Sequence, residues 1–147
     1  MAEYSWAESA VNALSDKGVL AGVGNNMFNP EGVVTREQIA KMIVSTLGEL
    51  DSDAKAEYVD VDTSGWAYKF IATANKIGIM NGISDNEFAP LAAVTREDLA
   101  VILYRASLKN GKKYDAKKSD FTDITNISDY AIEAVEYMAG AGIINGF

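Results

Sequence analysis

The 147-residue chain contains no cysteine and no histidine. Their absence removes disulfides, thiol nucleophiles, Cys/His zinc sites and imidazole acid–base relays from the chemistry open to it. Positive charge is scarce as well: 13 basic residues, of which only Arg36, Arg96 and Arg105 are arginine, face 21 acidic ones for a net charge of −8. Such a balance argues against a broad nucleic-acid-binding face, which needs a basic patch. Any anionic ligand must therefore be held by a few local cations rather than by the overall field. No run approaches the roughly 18 apolar residues of a membrane span. The opening stretch, MAEYSWAESAVNALSDKG, lacks a basic segment followed by an apolar one, so no signal peptide is expected within it. What is present is a hydrophobic content of 48%, enough for a real core, in a length suited to one module.

Internal repetition dominates that content. Displacing the sequence by 60 residues superposes Trp6-Ala7 on Trp66-Ala67, Gly18 on Gly78 and Gly22 on Gly82. The match continues through Asn26/Asn86, Phe28/Phe88 and Pro30/Pro90 to Val34-Thr35-Arg36-Glu37 over Val94-Thr95-Arg96-Glu97, and ends at Ala40/Ala100. Twelve identities thus fall in register without a gap. A third copy opens at Phe121-Thr122-Asp123, which echoes Tyr58-Val59-Asp60. Tyr130-Ala131 then stands in the place of Trp66-Ala67, and Gly142 to Gly146 repeats Gly78 to Gly82. The expected organisation is a single module, 1–147, with repeat one at 4–50, repeat two at 58–108 and a partial repeat three at 121–147 that stops before a third Thr-Arg-Glu.

Each repeat reads as helix, loop, helix. Ser5 with Glu8 predicts a capping box, followed by Ala7, Ala10, Val11 and Leu14 at helical spacing. Trp66, Ala67, Phe70 and Ile71 open the counterpart helix, as do Tyr130, Ala131, Ala134 and Val135 in the third copy. Gly18, Gly78 and Gly142 are the expected helix stops. Thr35 with Gln38 predicts a second capping box, with Ile39, Met42, Ile43, Thr46, Leu47 and Leu50 as its buried face. The parallel helix from Thr95 is expected to bury Leu99, Ile102, Leu103 and Ala106.

In their order and co-occurrence these elements resemble the S-layer homology family, whose repeat runs aromatic-x-Asp, Trp-Ala, Gly-Ile-Ile-x-Gly, aromatic-x-Pro and Thr-Arg-Ala-Glu. The resemblance covers nearly the whole chain. It implies a mainly α fold of tandem helix-loop-helix repeats in a pseudo-threefold arrangement around a central helical bundle, with ligand grooves between neighbouring repeats. The implied function is non-covalent anchoring of exported proteins to the bacterial envelope or S-layer, outside the cell. The implied ligand is a secondary cell-wall polysaccharide bearing a pyruvylated, hence carboxylate-carrying, sugar. Here the motif departs to Thr-Arg-Glu-Gln and Thr-Arg-Glu-Asp, and Tyr130 replaces the third tryptophan.

The residues themselves support a binding reading. Arg36 and Arg96 each stand at the start of a second helix, where a planar guanidinium and the helix-end N–H groups together suit a carboxylate. Intramolecular pairing with neighbouring acids is the competing use. Trp6 and Trp66 either stack on a sugar or pack inward. Gly22 and Gly82 either admit a saccharide to the backbone or serve a turn, and Asp60 and Asp123 either contact ligand or brace a turn. Other motifs fail. Asp60-Val-Asp62-Thr-Ser64-Gly65 begins like a calcium loop, but its twelfth position is Ile71 where a bidentate glutamate is needed. Gly22-Val-Gly24 lacks a third glycine and a preceding strand. The lysines between 109 and 118 read as a solvated linker. No catalytic residue, metal or cofactor is expected, and no membrane insertion. The alternative function is a structural module that self-associates or docks a partner at the incomplete third repeat.

Overall fold

Threonine side chains start the two best-defined helices of the structure, a computed structural model describing residues 4–25, 27–115 and 118–146. The chain order is α1 (Ser5–Asp16), α2 (Arg36–Leu47), α3 (Tyr68–Lys76), α4 (Arg96–Lys109), a 3₁₀ turn (Ile124–Asn126) and α5 (Ile132–Gly140). Among the described residues there is no strand, only isolated bridges joining Gly24 to Met27 and Thr35 to Ala93. No described helix is long and apolar enough to cross a membrane.

At α2 the expected capping box is formed: Gln38 N–H donates to Thr35 Oγ1 at 3.4 Å, and Thr35 N–H donates to Gln38 Oε1 at 3.0 Å. At α4 Asp98 N–H donates to Thr95 Oγ1 at 3.1 Å, but the side chain of Asp98 is engaged elsewhere. The Ser5/Glu8 box is not formed. Ser5 is itself the first helical residue, Tyr4 occupies the cap, and no side chain caps that end. A residue inside the first turn is on the wrong side of the orphan N–H groups to serve them. Helices α3 and α5 also begin two residues later than the sequence pattern suggested, leaving Trp66 and Tyr130 in the turns that precede them. The helix ends follow expectation. Gly18 at φ +69° and Gly142 at φ +69° take the left-handed conformation. The next N–H groups, of Val19 and Ile143, reach back to Leu14 O and Met138 O.

The chain divides into two compact units, and their boundaries ignore the repeats. The first comprises Met1–Ile77 with Asn81–Ala93, the second Gly78–Met80 with Val94–Phe147. In the first unit α2 packs on α3; α2 buries Ile39, Ala40 and Val44, and α3 buries Ile71, Ala72, Thr73 and Ala74. Thr73, the one buried polar residue among those described, is satisfied by both backbone groups of Asp51. In the second unit α4 packs on α5: Ala100 clusters with Val135, Tyr137 and Met138, and Val101 with Ala131 and Ala134.

Ile39, Ile102 and Ala106 are buried as expected, while Ala40, Val44, Ala100 and Val101 extend the buried faces and Thr46 is exposed. Alanines lie on the line of contact, where they let backbones approach, and Met42, Ile43, Leu47, Leu99 and Leu103 flank it half-buried. Leu50 lies beyond the helix and is exposed. Helix α1 buries no residue; Ala7, Val11 and Leu14 are half-buried and Ala10 is exposed.

The loop preceding each Thr-Arg helix turns on the middle residue of Phe-x-Pro, with Asn29 and Ala89 both at φ +55°. Asparagine tolerates that region; alanine there is disfavoured by about 1 kcal/mol. Ala89→Asn is expected to stabilise the protein by about 0.5–1 kcal/mol. Urea denaturation at an unchanged slope is the measurement, and no gain would mean the loop's conformation is unstrained at that position.

Candidate functional site

Arg36, the first residue of α2, does not point into open solvent. Its Nε donates to Phe88 O at 2.8 Å and its Nη2 to Asn81 O at 2.6 Å. The guanidinium carbon lies 4.7 Å from the centre of the Phe88 ring, in cation–π contact. The helix end beneath it is served by the same loop: Arg36 N–H donates to Ala92 O and Glu37 N–H to Pro90 O, both at 3.0 Å. The guanidinium and the first N–H groups of α2 thus hold carbonyls of the following repeat.

Asp60 grips that loop from the other side. Its carboxylate accepts from Phe88 N–H at 2.9 Å and Ala89 N–H at 2.7 Å. Partial burial works against its ionisation, but these backbone donors and the charge of Arg36 outweigh it and hold the carboxyl below the usual aspartate range. The fully buried Phe88 is thereby held at its N–H by Asp60 and at its C=O by Arg36. Tyr58, not singled out from the sequence, completes the brace: its hydroxyl accepts from Gly82 N–H at 2.9 Å and Asn75 Nδ2 at 2.8 Å. Gly82 has no room for a side chain, because a Cβ would come within 2.6 Å of Tyr58 Cε1 and 2.5 Å of Ser84 O. The aromatic-x-Asp element was the signal that could have found Tyr58.

Trp66 and Gly22 meet in a groove of about 660 Å³ in the first unit. Val19, Phe28, Pro30 and Met42 supply apolar wall, Trp66 closes one side at 55% exposure, and Asn29, Gln38 and Lys41 supply polar groups. Gly22 approaches Met27 O so closely that a Cβ would stand 2.6 Å from it, so the turn itself needs this glycine. Trp6 is 83% exposed on α1 and does not line the groove. Lys41, three residues beyond Gln38 on the same face of α2, escaped the sequence reading.

In the second unit Arg96 opens α4 and is exposed, with Nη2 donating to Asn145 O at 3.2 Å. Asn145 occupies in repeat three the place of Asn81 in repeat two, so the two arginines make the same kind of contact. The two acids that follow Arg96, departures from the family motif, are both used. Glu97 accepts from Ser128 N–H at 2.9 Å and from Ser128 Oγ at 3.0 Å. The Tyr130 hydroxyl donates to Asp98 at 2.8 Å and lies 3.3 Å from Glu97. Burial of that hydroxyl end and then the two carboxylates push the phenol up to about 12. Asp123 is exposed at the head of the 3₁₀ turn, and its side chain makes no cap. Among the described residues no cluster of acids could hold a metal ion.

Two consequences follow for stability. Asp60→Ala removes the acceptor for two loop N–H groups and should cost about 2 kcal/mol, whereas Asp123→Ala should change stability by less than about 0.5 kcal/mol; equal effects in chemical denaturation would contradict the brace. Asp60 is joined by Asp51, lowered by its bond to Lys76, and Asp62, lowered by the Ser64 hydroxyl. Carboxylates held low stabilise the fold above the ordinary aspartate value, about 3.9, and lose that contribution as pH falls through their depressed values. The melting temperature should therefore fall below about pH 4, and Asp60→Asn should flatten part of that fall.

The sequence profile described as S-layer homology domain matches residues 1–40, 57–100 and 120–147. The chain is 33% identical over 141 residues, 96% of its length, to a surface-layer 125 kDa protein of Lysinibacillus sphaericus, of which it covers 12%. It is 34% identical over 134 residues, 90% of its length, to an endoglucanase of a Bacillus species, covering 14% of that protein. An amylopullulanase of Thermoanaerobacterium thermosulfurigenes is 31% identical over 144 residues, 97% of this chain and 8% of the enzyme. The chain thus spans only a small part of these relatives, and the stretch they share is common to surface-layer proteins and enzymes alike. With the family match falling in three segments that follow its own internal repeats, the chain belongs to the S-layer homology domain family, a family of cell-surface anchoring modules and not of catalysts.

Proposed function

We propose that this module anchors the polypeptide that carries it to the bacterial cell wall by binding an anionic secondary polysaccharide, with the carboxylate of a pyruvylated sugar as the charged handle. The observation that carries the reading is the groove at Trp66. A large aromatic that is more than half exposed beside apolar walls and a few polar groups suits the alternating apolar and hydroxylated faces of a sugar ring. In this reading Trp66 and Gly22 border the sugar, while Arg36, Asp60 and Gly82 hold the loop of the next repeat in place. Trp6, which is exposed, is a further group open to a long polymer; Arg96 holds Asn145 O as Arg36 holds Asn81 O. Asp123 has no evident part.

Self-association is the second reading, favoured by α1, which buries no residue and exposes Trp6. A concentration-independent monomer in sedimentation velocity would set it aside.

Co-sedimentation with purified wall sacculi, before and after chemical removal of the secondary polysaccharide, tests the first. Retention on intact walls and its loss on stripped ones is the expected result. Trp66→Ala should weaken retention about tenfold, the equivalent of 1–2 kcal/mol of stacking, at an unchanged melting temperature. Equal binding to stripped walls, or none to intact ones, would overturn the polysaccharide anchor.

A further inference from the structure

Chemically, the two places where one repeat's second helix meets the next repeat's aromatic are unlike. In the first unit, Lys41 is the only ionisable side chain lining the Trp66 groove among the described residues. It is half-buried, on the same face of α2 as Gln38, and the remaining lining is apolar or uncharged. Arg36 does not line this groove; its guanidinium is turned to Asn81 O, Phe88 O and the Phe88 ring. Lys41 is therefore the cation within reach of a carboxylate entering beside Trp66, among walls whose apolar character reduces the competition from water.

The corresponding positions in the second unit are different. Sixty residues on from Lys41 stands Val101, which is buried in the cluster with Ala131 and Ala134. The aromatic that replaces Trp66 is Tyr130, and its hydroxyl is bound to Asp98 and adjoins Glu97. Glu97 is itself fixed by Ser128. An anionic sugar approaching the Tyr130 hydroxyl would meet the carboxylates of Glu97 and Asp98.

We propose that the module reads the acidic sugar at a single site, the Trp66 groove, with Lys41 as the residue that recognises its carboxylate, and that the Tyr130 position has been converted from a sugar platform into an internal fastening. This rests on the polysaccharide reading above and adds to it the stoichiometry and the identity of the cation. It also accounts for the two acids after Arg96: they fasten Ser128 and Tyr130 within the second unit.

The experiment is isothermal titration of the whole chain with a pyruvylated wall oligosaccharide and with the same oligosaccharide after mild acid removal of its ketal. One site per chain is expected, with Lys41→Gln weakening the acidic ligand about tenfold, Lys41→Arg largely restoring it, and neither variant altering the weaker binding of the neutral form. Tyr130→Phe should leave affinity and stoichiometry as they are. Two equivalent sites, or undiminished affinity for the acidic form in Lys41→Gln, would overturn the proposal while leaving the anchor standing. Failure of the unmodified chain to bind either oligosaccharide would overturn both. The melting temperature of each variant, measured alongside, separates lost recognition from lost fold.

Discussion

Two carbonyl oxygens held by one guanidinium organise the first unit. Arg36 reaches Asn81 and Phe88, 45 and 52 residues further along the chain, with hydrogen bonds of the charge-assisted kind. Because the loop is drawn to that point, Pro90 and Ala92 fall over the first turn of α2 and satisfy its N–H groups. Phe88 is sealed from water in the process, and Asp60 and Tyr58 close on the loop from the far side. The start of α2 thereby joins one repeat to the next.

The same economy of positive charge shapes the second unit. With 21 acids to 13 bases, some carboxylates have no cation to pair with, and neutral donors serve several of them. Glu97 takes the backbone N–H and hydroxyl of Ser128, and Asp98 takes the Tyr130 hydroxyl; in the first unit Asp62 likewise takes the backbone N–H and hydroxyl of Ser64. A hydrogen bond to an ionised acceptor contributes more than one between neutral groups. An acidic chain can therefore be tied together without a matching set of bases.

Much of the architecture was legible because side chains announce it. The Thr35/Gln38 box, the glycines that end α1 and α5, and the repeat itself were all readable, since each depends on what one residue type can do at one position. The partners of Arg36 were not. Main-chain carbonyls are present at every residue, so nothing in the sequence marks Asn81 and Phe88 as acceptors. The tryptophans were ambiguous for a different reason. Whether Trp66 faces inward depended on whether it lay inside helix α3 or just before it, and boundaries of that kind are set by packing more than by local pattern. Ala40 and Ala100 were not legible as buried, because periodicity weights large apolar residues while close helix contact selects small ones. Glu97 and Asp98 looked like lost motif residues until Ser128 and Tyr130 were seen against them.

A repeat in this protein is not a self-contained brick. The first compact unit holds repeat one with the first helix and loop of repeat two, and the second holds the Thr-Arg helix of repeat two with repeat three, so the sixty-residue period and the compact units are out of phase. Tandem duplication of such a sequence lays it down like shingles, every copy finishing the body before it and beginning another. Recombination between arrays is then kindest when crossovers spare the span from a Thr-Arg helix to the loop it clasps. A crossover at the apparent repeat boundary would part an arginine from its carbonyls. Selection on arrays of this design acts on neighbours in pairs, and a copy moved alone arrives without half of what folds it.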